Sequence, residues 1–209
     1  MKKFKARPSS LSKLMGKLKK DGELPQTCIT YLKEWYSGDT EEITSKYLTK
    51  GILLEDEAIQ FASKVLFGDI RAYKNEDIYS NEWMLGTPDV VLENSIIDTK
   101  CSWNHKTLLD AALELNTDYE WQLRGYMMLC KKEFATLFYY LGDTPAEANF
   151  GKRVSFKHLE EFERWVSYEF KRDISIEQEI IERIELCRTW LQDYDQQIQT
   201  RIGTRIINL

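Results

Sequence analysis

The sequence predicts an α/β (α+β) fold, a central mixed sheet flanked by helices and followed by a C-terminal helical extension. Three observations carry that expectation. Stretches rich in β-branched and aromatic residues cluster in the middle of the chain. Long apolar stripes at helical spacing lie on either side of them. The order reads helix, three strands, helix, strand and helical tail, an alternation that packs helices against a sheet. The 209 residues are the size of one compact domain. Within it we expect a basic helical arm over 1–44, a core over 45–145 and the helical extension over 152–202.

Each element has its own signal. Leu11, Leu14, Met15 and Leu18 recur at helical spacing, so the basic start should carry a short helix. Residues 21–25 read as a loop and 27–36 as a helix ended by Ser37-Gly38-Asp39. Residues 52–67 form the clearest early helix, with Ala58, Ile59, Ala62, Val65 and Leu66 on one stripe. Glu55 falls on that apolar stripe rather than on the Asp56, Gln60 and Lys64 side. Strands are expected over 70–74, 83–92 and 95–101, then a long helix over 107–129 and a strand over 135–141. Past the loop at 142–151 two helices are expected. Leu159, Phe162, Trp165, Val166 and Phe170 mark the first, and Ile176, Ile180, Ile184, Cys187, Leu191, Tyr194 and Ile198 mark the second.

Composition removes several function classes. With 43% hydrophobic and 30% charged residues the chain is neither mainly disordered nor a low-complexity stalk. No apolar run approaches the roughly 18 residues of a membrane span, so no membrane partner is expected. Lysines interrupt the start of the chain, which argues against a secretory signal. Residues 1–20 carry eight Lys or Arg and no acid; with −5 for the whole chain, −13 is left on the rest. A basic arm on an acidic body suits phosphate, an anionic membrane or an acidic partner, or is a solvated lysine-rich segment.

Cys28, Cys101, Cys130 and Cys187 form no C-x-x-C pair, so neither a zinc site nor an iron–sulfur cluster is expected. Scattered free thiols fit a reducing cytoplasm. With only His105 and His158 as histidines, any metal should have oxygen ligands, which favours Mg²⁺ or Mn²⁺.

The stretch from Gly86 to Lys100 contains the candidate chemistry. A turn at Glu93-Asn94 sets Leu92 opposite Ser95 and therefore Asp89 opposite Asp98. Opposed residues lie about 4.5–5.5 Å apart on one face, and Lys100 points to the face of Asp98. Two facing carboxylates repel unless a cation compensates, and Glu55 is a third acid in an apolar setting. Three carboxylates and a lysine converging on one point suit metal-assisted phosphodiester hydrolysis. Each element alone is ordinary: an Asp-x-Lys is usually a surface ion pair, and a one-residue slip of register separates the aspartates.

Pro88-Asp89 followed by Asp98-Thr99-Lys100 resembles the signature of the PD-(D/E)XK nuclease superfamily. Gly51-Ile-Leu-Leu-Glu55 is similar to the G-x-x-x-E helix motif of its RecB-like branch, and Gln122-Leu-Arg-Gly-Tyr126 to the downstream Q-x-x-x-Y motif. The nearest likeness is to YqaJ-type viral recombinase exonucleases, the lambda-exonuclease-like group. The resemblance implies a restriction-endonuclease-like core in which Glu55, Asp89, Asp98 and the Thr99 carbonyl bind Mg²⁺ or Mn²⁺. Lys100 would position the attacking water.

Gln122 and Tyr126 would contact DNA or brace the site, or else be packing residues. Arg124, Ser102 and Trp103 join them as DNA-contact candidates, Trp103 by stacking on a base or else as buried packing. Lys46, Lys50 and Lys74 could touch phosphates, and Glu57 is the alternative to Glu55. The activity implied is a metal-dependent DNA exonuclease acting at duplex ends in phage-type recombination or repair, leaving a 5′-phosphate. Self-association and a single-strand annealing or recombination protein are the implied protein partners. Two rivals stay open, an endonuclease on the same core and an inactive DNA-binding or assembly module.

Overall fold

The computed structural model describes residues 2–39, 45–68 and 71–203. Its main sheet has four strands in the order β3 (Val90–Val91), β4 (Ser95–Cys101), β5 (Phe134–Tyr140) and β6 (Trp165–Lys171). The β4–β5 pair is parallel and its neighbours are antiparallel. A parallel pair needs a crossover, supplied here by α4 (His105–Leu113) and α5 (Thr117–Cys130). A separate two-stranded piece joins β1 (Tyr79–Ser80) to β2 (Leu85–Gly86).

Alternation along β4 builds two cores. Ile96 faces the larger one, with Leu123 and Met127 of α5 and Leu137 of β5. Ile97 faces the other, with Ala58, Ile59 and Ala62 of α3 (Lys46–Phe67) and Phe138 of β5. The sheet is thus clamped between α3 and α5, so both helices present residues to the same strand. The long final helix α6 (Ile174–Arg201) buries Ile180, Ile184, Cys187 and Leu191 in the larger core, close to the predicted stripe.

Several expected elements differ. The helix predicted over 27–36 is α2 (Gln26–Ser37), ended by Gly38 at φ 76°. The one predicted over 11–18 shrinks to a 3₁₀ turn and α1 (Leu11–Leu14). The basic start is not an arm, since Phe4, Ala6, Leu11 and Leu14 are fully buried. Ala6 N donates to Trp83 O at 2.9 Å and Leu85 N to Ala6 O at 3.0 Å, so this segment runs beside β2. A Cβ on Gly125 of α5 would stand 2.4 Å from Leu11 Cδ1 and 3.1 Å from Pro8 Cβ, so only glycine admits that approach.

The helix predicted over 107–129 is two. Asn116 caps α5, its side chain accepting from Asp118 N at 2.9 Å, and asparagine at such a position starts a helix rather than continuing one. The helix predicted from Leu159 to Phe170 is largely β6. Its residues pair with β5 at seven positions, and Trp165 stacks on Phe138 at 5.6 Å. The apolar edge of β5 needs a partner strand, and that tertiary demand overrides the helical spacing. Residues 71–74 form no strand, and Ile70 lies outside the described residues. They run back along α3 and bond to its side chains: Ala72 N donates to Ser63 Oγ at 2.7 Å and Gln60 Nε2 to Ala72 O at 2.9 Å. The strand expected over 83–92 is interrupted, forming ladders at β2 and β3 and an isolated bridge from Met84 to Ala6.

Candidate active site

The β3–β4 hairpin turns as the residue pattern requires. Leu92 N donates to Ser95 O at 2.8 Å, and Val90 pairs with Ile97 and Val91 with Ile96. That register sets Asp89 across from Asp98. Because β3 begins only at Val90, β4 has no ladder partner on that side from Asp98 onward. Asp89 fills the gap, its Oδ2 accepting from Thr99 N at 2.8 Å and from Thr99 Oγ1 at 3.1 Å. A side chain thereby replaces the missing ladder bond, and the open edge becomes the floor of a groove.

Asp98 is 1% exposed. Gln122 Nε2 donates to its Oδ1 at 2.8 Å. Its Oδ2 lies in direct contact with the Lys100 ammonium but has no donor in hydrogen-bonding geometry. Burial pushes the Asp89 carboxyl up to about 6, and the neighbouring Asp98 charge adds to that rise. For Lys100, burial alone pulls downward, yet Asp98 and Asp89 outweigh it and the net shift is upward. Lys100 is therefore held as an ammonium, 4.8 Å from the ring centre of Tyr119.

The groove has a volume of about 470 Å³, and Glu55, Asp89, Thr99, Lys100, Cys101 and Tyr119 line it. Tyr47, Leu48, Gly51 and Ile52 of α3 form one wall. Glu55 faces it and pairs with Lys74, Oε2 to Nζ 2.7 Å. Glu57 is turned to β5 instead, accepting from Tyr140 OH at 2.5 Å. A slightly larger cavity, of about 520 Å³, lies between residues 2–4 and α6. Its buried cation, Arg188, is spent on the carbonyls of Phe4 and Glu82.

The Q-x-x-x-Y helix fastens both halves of the hairpin. While Gln122 holds Asp98, Tyr126 OH donates to Thr87 O at 3.0 Å, just ahead of Pro88-Asp89. Burial, and then the Asp98 charge, push the Tyr126 hydroxyl up to about 12, so it remains a donor.

Other sequence-derived candidates sit elsewhere. Arg124 does not reach the groove: its guanidinium bonds Glu120 and the Lys171 carbonyl and lies over Phe170. Two residues from Gln122 on a helix is the opposite side. Ser102 is buried, its N donating to Tyr140 O at 2.8 Å. Trp103 packs edge-on against Tyr47 at 5.3 Å, with Lys46 Nζ 4.8 Å from its ring, at the rim of the groove. Lys50 is wholly buried and cannot meet a phosphate; its ammonium donates to the carbonyls of Ser102 and Trp103.

Two groups escaped the sequence reading. Tyr119 stands one helical turn before Gln122, so the spacing Tyr119, Gln122, Tyr126 was available as a signal. The Lys74–Glu55 pair had none, because residues 19 apart meet only through the fold.

Among the described residues no three Asp, Glu, His or Cys side chains are gathered closely enough to grip an ion. Glu55 and Asp98 each hold a lysine instead. The donor chemistry still fits a hard divalent cation. The available groups are carboxylates, and Asp98 Oδ2 is a buried oxygen that touches the Lys100 ammonium outside hydrogen-bonding geometry.

No family model and no curated protein matches the sequence. Among solved structures the chain is similar to a phage related exonuclease from Haemophilus somnus 129PT. The TM-score is 0.79 at 25% identity, over 93% of this chain and 96% of that one. It is similar in fold to an alkaline exonuclease from Laribacter hongkongensis, with TM-score 0.69 and 15% identity over 94% of this chain and 92% of that one. The same enzyme in complex with dAMP aligns with TM-score 0.68 at 16% identity and the same coverage.

Proposed function

We propose that this chain, which has the fold of the lambda-exonuclease-like nucleases, is a metal-dependent DNA exonuclease that hydrolyses phosphodiester bonds from duplex ends. The observation that carries the reading is the buried Asp98, held by Gln122 on one oxygen and facing Lys100 with the other, at the open edge of β4 beside Asp89. Whole-length likeness to a phage related exonuclease points the same way.

Asp89, Asp98 and Glu55 are the groups that would hold Mg²⁺ or Mn²⁺, with the Thr99 carbonyl in reach of the same edge. When bound, such an ion supplies charge to polarise the phosphate and to favour ionisation of a water. Lys100 is an ammonium and has no lone pair, so it orients the attacking water and offsets negative charge on the phosphate rather than removing a proton. Water oxygen joins phosphorus, the P–O3′ bond breaks, the 3′ oxygen takes a proton, and the 5′-phosphate stays on the other product. Gln122 and Tyr126 keep the hairpin acids in one geometry. DNA contact goes mainly through phosphates, so binding weakens steeply with salt. Self-association and a recombination or annealing partner belong to the same proposal, as does a role in phage-type recombination or repair.

The test is an assay on end-labelled linear duplex and covalently closed circular DNA with Mg²⁺, Mn²⁺ or EDTA, using wild type, Asp98→Ala and Lys100→Ala. Metal-dependent loss of the linear substrate alone, abolished by both substitutions, is expected. Cutting of the circle would convert the proposal to an endonuclease. Folded protein that binds DNA without cleaving it under either metal would refute the enzyme.

A further inference from the structure

We propose that Lys74 is an internal counter-ion that occupies Glu55 in the metal-free protein and must be displaced when a divalent cation enters the groove. The proposal rests on the metal-dependent reading above and assigns a role to a residue outside its ligand set.

Lys74 is not a free surface lysine. Its segment is anchored on both sides of it, by Ala72 to Ser63 and Gln60 of α3 and by Asn75 to the hairpin. Asn75 N donates to Asp89 O at 2.7 Å, and Asn75 Nδ2 to Pro88 O at 3.1 Å. The chain therefore delivers Lys74 between the helix that carries Glu55 and the loop that carries Asp89. Its ammonium lies 2.7 Å from Glu55 Oε2, at an acid whose side chain is only 28% exposed. The Glu55 hydrogen bond pushes the lysine pKa upward, with Asp56 and Asp89 adding.

Among the described residues no three acids are closed around one point. Two of the three candidates carry a lysine, but on unequal terms. Lys100 stands on Asp98 from two residues along the same strand and touches Asp98 Oδ2 outside hydrogen-bonding geometry. Lys74 comes from another segment and takes an oxygen of Glu55 as a full hydrogen-bond donor. A carboxylate oxygen engaged by an ammonium is withheld from an ion, so the cation and Lys74 compete for Glu55. Asp89 and Asp98 supply the further donors that let the divalent ion prevail.

Mn²⁺ titrated into metal-free, full-length protein, with free ion followed by electron paramagnetic resonance, tests this without catalysis. The proteins are wild type, Lys74→Met, Glu55→Gln, the double variant, Asp98→Asn and Lys106→Met. Lys106→Met removes a charge from another exposed pair, with Asp110. Lys74→Met should bind Mn²⁺ about two- to fivefold more tightly, the range an exposed ion pair supplies. In the Glu55→Gln background the same substitution should change affinity no more than Lys106→Met does. Equal tightening in both backgrounds, or none in either, overturns the competition while leaving the metal site intact. Absence of Mn²⁺ binding by both wild type and Asp98→Asn overturns the metal-dependent function and this proposal together.

Discussion

Replacing Gln122 with alanine tests the link between α5 and the buried aspartate. The substitution removes the 2.8 Å hydrogen bond from Nε2 to Asp98 Oδ1. The acceptor is a carboxylate only 1% exposed, so the lost bond is worth about 1.5–3 kcal/mol. Truncation returns roughly 1.5 kcal/mol of glutamine side-chain entropy that folding had frozen. The net cost is therefore about 1 kcal/mol, a fall in Tm of roughly 2–4 °C for a chain of this size. That loss is too small to unfold the protein under assay conditions, so any larger effect on activity must come from Asp98 itself. Freed of Gln122, Asp98 can turn further onto Lys100 and lose the orientation that the proposed ion binding would need. Removing a hydrogen bond behind a metal ligand costs about 10–100-fold in affinity or activity. Denaturant unfolding and initial rates on end-labelled duplex measure the two halves separately. Activity within twofold of wild type, while Asp98→Asn is inactive, would refute the argument that Gln122 orients Asp98.

Two other predictions concern packing and pH. Gly125→Ala gains about 1 kcal/mol of helix propensity, but its Cβ meets Leu11 Cδ1 at 2.4 Å and the Pro8 backbone at 3.2 Å. Overpacking of about 1–3 kcal/mol outweighs the gain, so the midpoint of denaturant unfolding should fall; a rise would show that the N-terminal segment is loosely docked. Burial pulls Lys50 down to about 8, with Cys101, Asp143 and Glu57 opposing and Arg164 reinforcing. Between about pH 8 and 10.5 the unfolded chain then holds more protons than the folded one, so this residue's contribution makes stability rise with pH across that window. The cost is fully present below about pH 8 and gone above the unfolded value, so the wild-type minus Lys50→Met difference in unfolding free energy should climb over that interval. A flat difference would show that Lys50 is not buried as a charge.

Much of the site could be read along the chain because its spacings are local. The turn at Glu93-Asn94 determines which residues face each other, and a hairpin allows only one partner for Asp89 at that midpoint. The helical spacing from Gly51 to Glu55 and from Gln122 to Tyr126 likewise needs no tertiary information. The break at Asn116 is legible too, as a capping residue.

Other features depend on segments far apart. Residues 165–171 carry apolar positions compatible with a helix, and only the bare edge of β5 makes them a strand. Arg124 lies within the Q-x-x-x-Y motif, yet a helix turns it toward Glu120 and the Lys171 carbonyl. Lys50 and Lys74 look alike in sequence. Packing of α3 against β4 buries one on the carbonyls of Ser102 and Trp103, and the return of 71–75 along α3 brings the other to Glu55. Hydrophobic period and turn chemistry act over a few residues, so the sequence alone determined α2, α3 and α6, the hairpin register and the chemical types at the site. Burial and charge pairing act across the fold, so only the tertiary structure decided which of those groups face the groove and which lysine each carboxylate holds.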